Sequence, residues 1–271
     1  MQNTSNQPLA VVTGASSGIG FELAKQFAQH GFDLIIAADS EKIIEVAKEL
    51  QATGVSVEPV QVDLATREGV DILYNRIQAT QRFVEAVAIN AGIGVGGEFA
   101  STNLDEEFKV IDLNVTSAVH LAKHMVQGMV AQGRGRILFT ASVVATAPAP
   151  YQAVYSGSKA FLYSFSEALR YELKDKGITV TALLPDATET NFFHRAGMEN
   201  TTVGRIKKDD PALVAKQGFD ALMKGEDQVL AGSFKNRAKN MANDFLPETF
   251  KAKMLGELSK PDAIKNQSQT S

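Results

Sequence analysis

Thr13-Gly14-Ala15-Ser16-Ser17-Gly18-Ile19-Gly20 follows directly on the apolar run Leu9-Val12 and opens the amphipathic stretch Gly20-His30. Strand, glycine-rich turn and helix in immediate succession decide the fold class. Glycine lets the chain turn tightly there and brings backbone N–H groups against a pyrophosphate, whose charge the helix N-terminus favours. The same rhythm continues outward. Leu34-Ala38, Val55-Val62, Val84-Asn90, Arg136-Ala141, Thr179-Leu184 and Gln228-Ala231 read as strands. Several are almost wholly apolar, as parallel strands covered on both faces are. Between them Ser40-Gln51, Glu68-Ala79, Asp105-Ala131 and Val154-Lys176 carry helical periodicity. A further helix starts at Asp210-Pro211, where Asp caps well and Pro suits the first helical position. This alternation predicts an α/β fold of three layers around a doubly wound parallel sheet.

Without internal repeat or linker, a single domain over residues 9–255 is expected. Residues 1–8 read as a flexible N-terminus and residues 256–271 as a flexible, polar C-terminal tail. Glu189 to Asp209 has no clean period and reads as a long loop, of the kind that is usually functional in a compact domain; it is the candidate substrate loop. Of 271 residues, 44% are hydrophobic and 21% charged, ordinary globular usage that allows a sizeable core. A net charge of −4 argues against a nucleic-acid partner, which would want a basic stripe. The absence of cysteine excludes disulfides, thiolate catalysis and Cys-based zinc sites, and fits a reducing compartment. Met1 to Pro8 lacks the apolar core of a secretion signal, and no apolar run reaches the roughly 18 residues that span a membrane. The expectation is a cytoplasmic protein without a membrane span.

Asp39 ends the second predicted strand, 19 residues beyond Gly20. An acidic residue there accepts hydrogen bonds from adenosine ribose hydroxyls and repels a 2′-phosphate. Asp39 or Ser40 also suits as cap of the helix beginning at Glu41, and both roles are compatible. No Arg or Lys stands beside Asp39 or within Ser16-Ser17, so NAD is favoured over NADP. Asp63, within Val62-Asp63-Leu64, is placed to reach an adenine amino group, and the small residues of Asn90-Ala91-Gly92 let backbone lie against a cofactor. Ordinary strand ends contain such residues too. Their weight comes from falling at the carboxyl ends of consecutive strands, where open α/β sheets bind ligands.

Tyr155 and Lys159 lie four residues apart on a predicted helix, hence on one face. A free tyrosine titrates near pH ~10, too high for proton exchange at neutrality, and a neighbouring cation lowers that value. Ser142, just past the fifth strand, offers a hydroxyl to hold a substrate oxygen against Tyr155. A Tyr-x-x-x-Lys pair alone also fits an ordinary helix face.

These residues together resemble the short-chain dehydrogenase/reductase family. The resemblance is carried by Thr13-Gly14-Ala15-Ser16-Ser17-Gly18-Ile19-Gly20, Asp63, Asn90-Ala91-Gly92, Asn114, Ser142, Tyr155-Ser156-Gly157-Ser158-Lys159 and Pro185, in the family's order. It implies a Rossmann-like domain that transfers hydride between NAD(P) and a small-molecule carbonyl or alcohol. Tyr155 is then the acid/base, and Ser142 orients the substrate oxygen. Lys159 holds the nicotinamide ribose and lowers the tyrosine pKa, and Asn114 supports a water relay. Thr188 and Thr190 fall where the family contacts the carboxamide and phosphates. Subunit contacts through the long helices of Asn114 and Tyr155, hence a homodimer or homotetramer, are implied as well. Two departures stand out: Asp186 follows Pro185 where the family has Gly, and Ile89 precedes Asn90 where the family has Asn.

Phe192-Phe193, with Val144, Ala149 and Tyr151 near Ser142, suggest an apolar pocket and a lipophilic substrate, although buried aromatics can simply be core. His120 and His124, also four residues apart, show no third ligand in the sequence and read as structural, so no metal is expected. His194 falls in the substrate loop without a clear role. The expected activity is NAD(P)-dependent oxidoreduction of CH-OH or C=O groups. The alternatives are an NADPH-dependent ketoacyl- or steroid-type ketoreductase, and a cofactor-sensing protein that has lost catalysis, motivated only by Asp186.

Overall fold

The structure is a computed structural model and describes residues 7–234, 236 and 247–262. Seven parallel strands form one sheet in the order β3-β2-β1-β4-β5-β6-β7. They are β1 (Leu9–Thr13), β2 (Asp33–Ala38), β3 (Val57–Gln61), β4 (Val84–Ile89), β5 (Gly135–Thr140), β6 (Ile178–Pro185) and β7 (Gln228–Ala231). Between strands run α1 (Gly18–Gln29), α2 (Lys42–Gln51), α3 (Arg67–Ala79), α4 (Leu104–Ile111), α5 (Ser117–Gln132) and α6 (Ala153–Leu173). Two single-turn helices, α7 (Phe192–Arg195) and α8 (Thr202–Arg205), precede α9 (Pro211–Lys224), and α10 (Glu248–Ser259) comes last.

Strand periodicity divides the core in two. Ala10, Val12, Leu34 and Ile36 face one side, where Leu23 and Phe27 of α1, Ile43 and Leu50 of α2 and Phe219 of α9 cover them. Leu9, Val11, Ile35 and Ala37 face the other, beneath Leu73 and Ile77 of α3, Leu121 and Met125 of α5 and Leu162 of α6. Phe27 is fully buried and meets Phe32 and Phe219 edge to face at 5.2 and 5.1 Å. Its truncation to Ala would cost about 3–5 kcal/mol. Helix starts follow the sequence signals. Asp210 accepts the Ala212 N–H at 2.9 Å with Pro211 behind it, and Thr66 Oγ1 accepts the Gly69 N–H at 2.9 Å.

The structure corrects several expected boundaries. The third strand begins at Val57 and ends at Gln61, so Asp63 lies two residues beyond it. The helix expected over 105–131 is α4 and α5 joined by a π-helical turn, Asp112–Thr116, with Asn114 at its centre. The helix expected to reach Lys176 ends at Leu173 and passes into a 3-10 turn. The substrate loop contains α7 and α8, and its ends are tied where Thr188 bridges Asp209 in parallel. The tail expected from residue 256 is overturned: α10 continues to Ser259, with Gly256 and Ser259 buried. That helix escaped notice because Lys251 is among its buried residues, which blurs the apolar face. At the other end, Gln7 O accepts from Arg82 and Pro8 O from Asp33, so residues 7 and 8 are tied down. Residues 1–6 and 263–271, also expected to be flexible, lie outside the described residues.

Strand order reverses between β1 and β4, which connect outward to β2 and β5. That switch point opens a crevice at the carboxyl ends of the strands.

Candidate active site

One cavity occupies this crevice, and the catalytic and cofactor-binding candidates named from the sequence line it, except Asn114. Gly14, Ser16, Ser17, Gly18, Ile19 and Gly20 form its floor at the mouth of β1, and Asp39, Asp63 and Leu64 stand beyond the ends of β2 and β3. Asn90, Ala91 and Gly92 follow β4, and Pro185, Thr188 and Thr190 follow β6.

The floor fits a dinucleotide phosphate. Gly14 and Gly18 have φ of +68° and +58°, which side-chain-bearing residues rarely adopt. A Cβ on Gly20 would stand 2.2 Å from Gly14 O and 2.5 Å from Asn90 Nδ2, so only glycine allows this approach of strand and helix. Ser17 begins α1 in extended geometry without spending its side chain on a cap, and no acidic residue sits in the first turn. The N–H groups of that turn therefore face the cavity with their partial positive charge uncompensated. Ser40 Oγ takes the Lys42 N–H at 3.3 Å, so Ser40 rather than Asp39 serves the start of α2. The Asp39 carboxylate stays on the cavity wall, suited to a ribose.

Polar residues at the strand ends lock the crevice. Thr13 Oγ1 accepts the N–H groups of Asn90 and Ala91, each at 3.0 Å. Asn90 Nδ2 donates to Thr13 O and its Oδ1 accepts from Thr140 Oγ1, both at 3.0 Å, joining β1, β4 and β5. Thr140 O in turn accepts from Lys159 Nζ at 2.8 Å. Sequence reasoning missed Thr13 and Thr140 in these roles. Their signal was a hydroxyl at the last position of an otherwise apolar strand.

Tyr155 and Lys159 do share a face of α6; Lys159 is buried, and Tyr155 is half-buried on the cavity wall. Burial pushes the Tyr155 phenol up to about 12, opposed by its hydrogen bond with Ser142. Burial also brings Lys159 down to about 8. Burial therefore sets the direction of the phenol's shift in the protein without cofactor. Lys159 Nζ donates to Thr140 O and stands 5.8 Å from the Tyr155 ring centre. Ser142 accepts the Val144 N–H at 3.3 Å and donates to Pro185 O at 3.4 Å, which fixes its hydroxyl between β5 and β6.

Asn114 lies behind the wall, fully buried. Its Oδ1 accepts the Ile93 N–H at 3.0 Å, and its Nδ2 donates to Ile93 O and Ser158 Oγ, both at 2.9 Å. It grips the loop after β4 and fastens it to α6, a positioning part. The π-helical turn puts it there by adding a residue to the helix turn.

Asp186 occupies the family's glycine position without strain. Among the described residues only Gln81 and Tyr151 combine a side chain with positive φ. Asp186 Oδ1 accepts the Ala187 N–H at 2.7 Å, and Asp186 O accepts from Thr188 Oγ1 at 2.8 Å. The carboxylate folds onto its own turn.

The far end of the cavity is apolar, lined by Val144, Ala149, Phe192 and Phe193 and closed by Met254, Leu255 and Leu258 of α10. Phe192 lies 4.9 Å from the Tyr155 ring, centre to centre, and a Cβ on Gly94 would stand 2.6 Å from Phe192 Cζ. Gln152, buried, donates to Ser259 Oγ at 3.2 Å and moors α10 over the pocket. Tyr151 does not line the cavity. His194 turns outward to Glu199, 2.8 Å away.

Comparison with known proteins agrees with this geometry. The probable oxidoreductase EphD of Mycobacterium tuberculosis is 33% identical over 211 residues, 74% of this chain and 36% of that protein. The type 3 17-beta-hydroxysteroid dehydrogenase of Rattus norvegicus is 34% identical over 188 residues, 67% of this chain and 60% of that one. The chain therefore spans about a third and three fifths of the lengths of these two relatives. A short-chain dehydrogenase from Sphingobium yanoikuyae, solved in complex with NADPH, superposes with a TM-score of 0.77 at 30% identity. That match covers 82% of this chain and 87% of the other. Residues 8–200 match the short chain dehydrogenase family, and with the glycine turn, the Tyr155/Lys159 pair and the seven-stranded parallel sheet all present, the chain belongs to that family.

Proposed function

We propose that this protein is an NAD(P)-dependent oxidoreductase that interconverts a lipophilic ketone and its secondary alcohol, with Tyr155 as the acid/base. The observation that carries this reading is the convergence of Tyr155, Ser142 and the buried Lys159 on one cavity, whose floor is a glycine-only cradle. A nicotinamide bound there supplies or accepts the hydride.

The chain's own residues handle the proton and the oxygen. Tyr155, protonated across the physiological range, donates to the substrate oxygen as negative charge develops on it. Ser142 donates to the same oxygen from the β5 side. Two fixed donors in a buried site stabilise that charge without reorganising, and this is usually the largest contribution to catalysis. Lys159, still cationic below pH 8, would stabilise the tyrosinate left after transfer, which regains its proton from water, and would hold the ribose end of the cofactor. In the oxidative direction the same groups run in reverse, and the high phenol pKa favours reduction at neutral pH.

Asp39 on the cavity wall supports NAD as the preferred cofactor. NADPH bound by the Sphingobium yanoikuyae relative supports the second reading, an NADPH-dependent ketoreductase. The apolar far end and the hydroxysteroid dehydrogenase relative support a bulky, lipophilic substrate. Placement in the cytoplasm and assembly as a homodimer or homotetramer belong to the same proposal. The test is turnover of reduced nicotinamide, with NADH and NADPH in turn, over a panel of bulky ketones. Native protein should turn over and Tyr155→Phe should retain less than about a hundredth of that rate, since a general acid contributes about 10²–10⁴-fold. Undiminished turnover in the variant would remove Tyr155 from the mechanism. Cofactor binding without turnover by the native protein would favour a sensor.

A further inference from the structure

Away from the cavity, α3 and α5 bring three potential ligands together. His120 and His124 stand one turn apart on α5, and Asp71 of α3 supplies the carboxylate that the sequence reading lacked. One ligand atom from each lies within 4.8 Å of the other two. We propose that Asp71, His120 and His124 form a binding site for a divalent transition metal ion, zinc above others, that clamps α3 to α5.

Three observations carry it. First, spacing: ligand atoms about 2.0–2.1 Å from a tetrahedral zinc stand about 3.3 Å apart. His120 Nε2 and Asp71 Oδ1 are already 3.1 Å apart, so an ion bridges them with little rearrangement. Second, His124 Nε2 is buried without a hydrogen-bond partner, although buried ring nitrogens are normally satisfied. The protein thus leaves an imidazole nitrogen of this cluster uncommitted. Third, the His124 ring is pre-oriented: Tyr74, one turn along α3 from Asp71, stacks on it at 3.9 Å with an interplanar angle of 11°. A ligand ring held in place loses little freedom on binding.

The donor set selects the ion. Two imidazoles and a carboxylate, with no thiolate in the chain, suit zinc better than magnesium or calcium, which want oxygen. Asp71 and His120 are 56% and 26% exposed, so the site opens to solvent and water completes the tetrahedron. No residue of the cavity takes part.

The test uses the full chain without an affinity tag, stripped with chelator and titrated calorimetrically with zinc chloride. Asp71→Asn and His120→Gln are the variants, both at partly exposed positions where folding is retained. The native protein should take up one zinc per chain and melt at a higher temperature with it. Each variant should bind at least about tenfold more weakly, since even losing a ligand's outer support costs about 10–100-fold, and should lose the thermal gain. Failure of the native protein to take up stoichiometric zinc, or uptake undiminished in both variants, overturns the proposal.

Discussion

Replacing Lys159 with Met separates what the residue does in the cavity from what it costs the fold. The side chain is 4% exposed, and burial lowers its pKa from 10.5 to about 8. The sign follows from those two values. Below pH 8 the native and unfolded chains both hold the proton, so the cost of burying the cation is fully present. Between 8 and 10.5 only the unfolded chain holds it, and native stability rises with pH as that cost is relieved. The difference, 10.5 − 8 = 2.5, at about 1.4 kcal/mol per pH unit, makes the relief about 3 kcal/mol. Against it, Met forfeits the charged hydrogen bond to Thr140 O, worth about 1.5–3 kcal/mol. The two nearly cancel. At pH 7 the variant should therefore unfold within about 2 kcal/mol of the native protein, although its turnover is lost. Urea denaturation of both cofactor-free proteins, in steps from pH 7 to 10, isolates the residue by difference. The native protein should gain on the variant by about 2–3 kcal/mol across that range. A difference flat from pH 7 to 10 would refute burial as the force acting on Lys159.

Asp39→Ala should weaken NADH binding about ten- to hundredfold, as loss of a charged hydrogen bond of about 1.5–3 kcal/mol implies, and leave NADPH bound no less tightly. Fluorescence titration with both cofactors checks this, and equal weakening of the two would remove Asp39 from cofactor selection. Gly20→Ala puts a methyl 2.2 Å from Gly14 O, so the cradle must open. Cofactor affinity should fall at least about tenfold, or 1.4 kcal/mol, and the melting temperature should drop with it. In the cofactor-free protein the Tyr155 phenol, held up to about 12, should remain protonated through pH 10. An ultraviolet difference titration of native protein against Tyr155→Phe reads this directly, and tyrosinate appearing below pH 9 would contradict it.

What the sequence disclosed, and what it hid, follows from the range of the forces involved. Apolar runs such as Leu34-Ala38 are legible because a strand buried on both faces needs nearly every residue apolar. The glycine turn is legible because its requirement is local, a positive φ or a missing Cβ. The π-helical turn at Asn114 had no such mark: Asp112-Leu113-Asn114-Val115-Thr116 contains neither Pro nor Gly, and its geometry is paid for by contacts to Ile93 and Ser158 elsewhere in the chain. Asp71 was invisible as a partner of His120 for the same reason, since 49 residues separate them. The upward push on Tyr155 had no mark in the sequence, because a one-turn spacing gives proximity but neither the depth of the pocket nor where Nζ points. Thr140 O captures the ammonium, and the depth of the pocket decides the rest.

Asp186 shows how a departure from a family pattern should be weighed. A carboxylate where glycine is usual threatens function in two ways, by straining the backbone or by bringing negative charge to the cofactor. The first does not arise, because the residue has no positive φ. The second is reduced because Oδ1 accepts the N–H of Ala187, so its charge is spent on the turn that presents Thr188 and Thr190. The same bond would stiffen that turn, which begins the segment carrying Phe192 toward Tyr155. Both bonds of Asp186 thus serve the turn that leads into the substrate end of the cavity. With Ser142, Tyr155 and Lys159 all facing one cavity and Asn114 bracing its wall, the one residue that motivated a silent sensor is compatible with the proposed oxidoreductase.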